Sequence, residues 1–197
     1  MRQPTGRGNT RFLVELAVLI ALELLLEMTG LGYIKTGALE FTIMQVPVVI
    51  GAIVLGPKGG SILGAVFGLT SFWQCFGKSY FGATLLGIQP VFTFVLCVVP
   101  RLLMGLLCGL LYRWLSAMKK TALRCAVVGL FGALLNTVLF MGLLVALFGR
   151  SSYLLSMGSS HVLTFIVTMV GIQGVVEAVV CCIVSAAISC ALLKGHR

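Results

Sequence analysis

Six apolar runs fill most of this sequence, and only short connections lie between them. They cover approximately residues 12–28, 43–55, 62–76, 91–112, 122–148 and 162–193. A bilayer span takes about 20 apolar residues, since roughly 30 Å of hydrocarbon must be crossed. A soluble domain carries roughly a quarter of its residues charged to cover its surface. Here 10% are charged and 59% are hydrophobic, so the solvent of this chain is lipid. No room is left for a fused ATPase, a receptor ectodomain or a nucleic-acid reader. The runs lack the period-two alternation of barrel strands. The expectation is an all-α integral membrane protein with one six-helix domain over residues 1–197. Its second and third helices are short and flank a turn at Gly56-Pro57.

The net charge of +9 is explained mostly by topology. Arg2, Arg7, Arg11, Lys58, Arg113, Lys119, Lys120, Arg124, Lys194 and Arg197 fall on one side of the expected spans. Lys35, Lys78 and Arg150 fall on the other, and Arg101 lies within a span. Basic residues collect on the cytoplasmic side, so both termini are expected there, in a multi-pass plasma-membrane protein. The first run carries Glu15, Glu23 and Glu27 and no A-x-A cleavage site, so it is expected to be retained.

Motifs for catalysis are missing. Gly77-Lys78-Ser79 resembles the end of a phosphate-binding loop, but Phe72 stands where that loop needs glycine. The chain has no Asp, no H-E-x-x-H and no G-x-S-x-G, and Gly158-Ser159-Ser160-His161 is a polar turn rather than a triad. The seven cysteines show no C-x-x-C spacing and read as small apolar residues. Neither enzyme activity nor a metal or cofactor is expected.

Ionisable residues inside a bilayer cost several kcal/mol each unless they meet a partner or water. Glu23 lies about 16 Å along the first helix and Arg101 about 15 Å along the fourth, near the midplane from opposite sides. Glu177 lies somewhat deeper. An ion pair of Arg101 with Glu23 or Glu177 is therefore plausible, either to fix helix packing or to serve ligand binding or proton movement.

Glycines at 56, 60, 64 and 68, and again at 105 and 109, recur every four residues and predict close helix contacts. Ala17 and Ala21 form a similar pair on the first helix. On a 100° wheel they point away from Glu15, Glu23 and Glu27, which allows one face for the bundle and another for a second chain. Polar and aromatic residues gather toward the outer side: Gln45, Trp73, Gln74, Gln89 and Asn136. They suit either an outward pocket for a small molecule or an interfacial belt anchored by Trp73.

The segment FTIMQVPVVIGAIVLGPKGGSILGAVFGLTSF (41–72) resembles the substrate-binding S components of energy-coupling factor (ECF) vitamin transporters. So do PRLLMGLLCGLLYRWL (100–115), LLNTVLFMG (134–142) and the Ala17-x-x-x-Ala21 pair. Pantothenate-type members are the most similar. The resemblance implies a compact six-helix subunit, without ATPase activity, that captures a vitamin at the outer face. It implies docking through Ala17 and Ala21 on a transmembrane coupling protein that carries two cytoplasmic ATPases, and toppling in the bilayer to release the vitamin inside. A pantothenate site would draw its cation from Lys78, Arg150 or Arg101, and its polar contacts from Gln74, Gln89 and Asn136. The competing readings are an S component for cobalamin or folate, a stand-alone proton-coupled carrier using Glu23 or Glu177, and an assembly subunit without a ligand.

Overall fold

The computed structural model describes residues 6–30, 32–36, 39–77, 80–118, 120–148 and 160–195. Among them are seven α-helices and one small hairpin: α1 (Gly6–Thr29), β1 (Tyr33–Thr36), β2 (Leu39–Thr42), α2 (Gln45–Val54), α3 (Gly56–Gln74), α4 (Tyr80–Ile88), α5 (Pro90–Trp114), α6 (Thr121–Phe148) and α7 (Ser160–Gly195). A single 3₁₀ turn, Leu115–Ala117, closes α5. Each of the six apolar runs contributes a helix. Two elements were not expected from the sequence. The strands pair antiparallel, with Tyr33 opposite Thr42 and Thr36 opposite Leu39, and α4 occupies what reads as an outer connection.

The α2–α3 junction follows from its residues. Gly56 has φ +80°, a left-handed conformation that costs glycine nothing. Pro57 sits in the first turn of α3, where a missing N–H breaks no helical bond. The helix consequently starts at Gly56, earlier than the apolar run from residue 62 suggests.

Helix α2 is the centre of the bundle. Gln45 to Ile53 are all buried, with α1, α3, α5, α6 and α7 packed around them. A helix apolar on every side has no solvent-facing stripe and is stable only when enclosed. The tightest contact is α3 on α5. A methyl placed on Gly64 would overlap the Arg101 carbonyl oxygen, one on Gly105 would overlap the Gly60 carbonyl oxygen, and one on Gly68 would lie 2.6 Å from the Val98 Cα. The four-residue glycine spacing thus brings two backbones together, as packing in lipid favours.

Three segments are long and apolar enough to cross a membrane: Pro90–Ala117, Thr121–Phe148 and Gly174–Leu192. Helices α1 and α3 carry more polar residues, but Glu23, Glu27, Thr70 and Ser71 are buried in the bundle. Their outer faces remain apolar, with Leu13, Val14, Val18, Leu25 and Leu69 exposed.

Candidate functional site

The polar interior lies at the hairpin end of the bundle, and helix register places its members. Val49 of α2 meets α6 at Gly132, where an added Cβ would stand 2.7 Å from Val49 Cγ2. One turn nearer the hairpin, on the same faces, stand Gln45 and Asn136. On the other side of α2, Leu19 and Leu63 meet at Gly51. One turn further toward the hairpin from these stand Glu23 on α1 and Phe67 on α3.

Gln45 and Glu23 are wholly buried. Neither the amide of Gln45, nor either carboxyl oxygen of Glu23, nor Oδ1 of Asn136 has a hydrogen-bond partner among the described residues. An unsatisfied buried polar group costs roughly 1–3 kcal/mol, and more if charged. Five such atoms within a few turns are a poor way to build a core and a good way to receive a polar molecule.

Arg101 enters the same region from α5. Its Nη1 donates to the Leu96 carbonyl oxygen at 3.0 Å, and its guanidinium carbon lies 5.4 Å from the Phe67 ring centre and 4.7 Å from that of Phe140. Cation–π contacts of this kind are strongest where water is excluded. The expected Arg101–Glu23 pair is not formed, since the Glu23 carboxyl meets no described cation. The reason is the direction of the Arg101 side chain, which turns back along α5 and rests on the two rings. Glu177 of α7 accepts the Thr42 backbone N–H at 2.8 Å. That bond ties the end of β2 to α7.

The remaining candidates are spread more widely. Gln74 donates through Nε2 to Glu27 Oε2, joining the ends of α3 and α1. Trp73 is not brought to the interior: its indole is 71% exposed and leans on Phe76. Gln89 is exposed at the start of α5, where its carbonyl accepts the Thr93 N–H and hydroxyl. Lys78 and Arg150 lie outside the described residues. Ala17 and Ala21 are exposed, while Leu16, Glu23 and Glu27 of the same helix are buried. Phe67 and Phe140 were not marked by the sequence, because an aromatic residue in an apolar run carries no sign of what it touches, and Thr42 was not, because its contact is made by the backbone N–H.

Chemically, this interior offers a guanidinium near two aromatic rings, two uncharged amides and a carboxyl group. It suits a small molecule with an anionic end and several hydroxyl or amide groups.

Comparison with known proteins agrees in kind. The family described as "ECF transporter, substrate-specific component" matches residues 11–189. The pantothenate transporter PanT of Leuconostoc mesenteroides subsp. mesenteroides is 33% identical over 142 residues, covering 68% of this chain and 67% of that protein. The pantothenic acid transporter PanT of Lactococcus lactis subsp. cremoris is 28% identical over 165 residues, covering 79% of each.

Proposed function

The chain belongs to the substrate-specific components of ECF transporters, a family of transport subunits rather than enzymes, and from that premise we propose that it captures pantothenate for ATP-driven uptake. In this reading the hairpin end faces outward, six helices cross the plasma membrane, and both termini are cytoplasmic. The vitamin is bound at the outer face and delivered inward when the subunit docks on a coupling protein with two ATPases. No cofactor and no nucleic acid take part.

The observation that carries the ligand assignment is the set of unpartnered buried groups at the hairpin end of the bundle, with the Arg101 guanidinium hydrogen-bonded to the Leu96 carbonyl oxygen. Pantothenate has one carboxylate, two hydroxyls and one amide. Its carboxylate matches the planar fork of Arg101. Its hydroxyls and amide match Glu23, Gln45 and Asn136, which offer both acceptors and donors. The two PanT relatives support the same vitamin. Cobalamin needs a wider mouth, and folate a second cation.

The buried Glu23 carboxyl favours a second reading, a proton-coupled carrier that works alone. Reconstitution separates the two. In proteoliposomes, labelled pantothenate should accumulate only when the coupling protein, the ATPases and ATP are all present. Accumulation by this chain alone under an imposed proton gradient would reject the coupled mechanism.

Docking is proposed to use the α1 face that holds Ala17 and Ala21, both exposed and both small enough for close backbone approach. Replacing both alanines with Trp should lower ATP-driven uptake by about tenfold or more, because bulk on a close-packed face forces the helices apart. Pantothenate affinity of the isolated subunit should stay within about threefold, because the ligand groups of α1 face the other way. Parallel loss of uptake and affinity would show that the two faces of α1 are not independent.

A further inference from the structure

Within α5 the backbone ladder has one break, and Arg101 is fastened to it. Pro100 lies inside the helix and is buried. Proline has no N–H, so the carbonyl four residues earlier, that of Leu96, receives no helical donor. Leu96 is itself buried, 1% exposed, which keeps water from supplying one. The donor is the side chain of the next residue: Arg101 Nη1 reaches the Leu96 oxygen at 3.0 Å. The guanidinium carbon also lies 5.4 Å from the Phe67 ring centre and 4.7 Å from that of Phe140, so the hydrogen bond and the two ring contacts act on the same group. A long side chain that would otherwise sample many rotamers is thereby given one.

We propose that Pro100 is a positioning residue for substrate: by leaving the Leu96 carbonyl open it creates the anchor that holds the Arg101 guanidinium ready for a carboxylate. The proposal rests on the reading of Arg101 as the partner of the substrate carboxylate. It differs from the common role of proline in a helix, which is to bend it.

Pro100→Ala returns an N–H to the ladder, closes the Leu96 carbonyl into an ordinary helical bond and takes that anchor away from Arg101. Ordering one rotamer-rich side chain on binding then becomes a cost, worth roughly a three- to tenfold loss of affinity. Pantothenate affinity of the purified subunit should fall by that factor. Affinity for pantothenol, with a hydroxymethyl in place of the carboxylate, should remain within about twofold of the parent value. Equal losses for the two ligands would reduce Pro100 to a shaper of the helix and overturn the proposal, as would an unchanged pantothenate affinity.

A ligand-free experiment keeps the anchor separate from the substrate. Melting temperatures of Pro100→Ala, Arg101→Met and the double variant form a cycle. Arg101→Met should lower the melting temperature less in the Pro100→Ala background, because Leu96 then has a backbone donor. A zero difference overturns the anchor even if pantothenate binds as proposed. A clear difference in a protein that binds no pantothenate would instead reject the substrate assignment and leave the anchor standing.

Discussion

Replacing Arg101 with alanine is expected to weaken pantothenate binding by about two orders of magnitude or more. Truncating one partner of a buried, hydrogen-bonded charge pair costs roughly 2–5 kcal/mol, much of it from the other charge left alone in a dry site. The substrate carboxylate would be that other charge. The loss is compounded because the Leu96 carbonyl loses its Nη1 donor and Phe67 and Phe140 lose their contacts with the guanidinium. Arg101→Lys keeps the charge but gives up the planar fork, so its affinity should lie between those of the parent and the alanine variant. Titration calorimetry on the purified subunit reads all three. An alanine variant within threefold of the parent would place the carboxylate elsewhere, with Lys78 or Arg150 as the next cation to replace.

The second large effect is structural. Gly64→Val should cost about 3 kcal/mol or more, beyond the usual overpacking range. The first atom added at Gly64 overlaps the backbone oxygen of Arg101, and a backbone cannot rotate aside as a side chain can. Relief requires moving α3 away from α5, which also opens the Gly60–Gly105 contact and shifts the helix that carries Arg101. Thermal unfolding in detergent should show a drop on the order of 10 °C, together with lost ligand binding. Gly142→Ala is the control. It lies in α6 with nothing within 4 Å of the added carbon, so it should be neutral or slightly stabilising. A folded, binding-competent Gly64→Val protein would show that α3 and α5 do not meet through their glycines.

Apolar runs told where α1, α5, α6 and α7 would form, since runs of 17 residues or more (12–28, 91–112, 122–148 and 162–193) leave few alternatives to a helix. The turn at Gly56-Pro57 and the glycine spacing of α3 were equally readable, because each is a local steric requirement. The central position of α2 was not. Its all-round apolarity fits a lipid-facing span as well as an enclosed helix, and hydrophobic periodicity does not separate the two. The hairpin strands have four residues each and α4 has nine, short enough to pass for connections. Depth along a helix suggested an Arg101–Glu23 pair, but depth says nothing about which way a long side chain bends. Pro100 decides that for Arg101, through a carbonyl no side-chain pattern reveals. The same gap hid Phe67 and Phe140, and it gave Trp73 a role that its exposed position does not favour.

The most direct test of the account is equilibrium binding of pantothenate to the purified chain alone, in nanodiscs and without ATP. Cobalamin, folate, riboflavin, thiamine and biotin complete the panel, with mass spectrometry of any molecule that co-purifies. Pantothenate should bind tightly and one-to-one, the other vitamins should not compete, and Arg101→Ala should lose that binding. A folded chain that binds none of the six, or that binds another vitamin in preference, would contradict it.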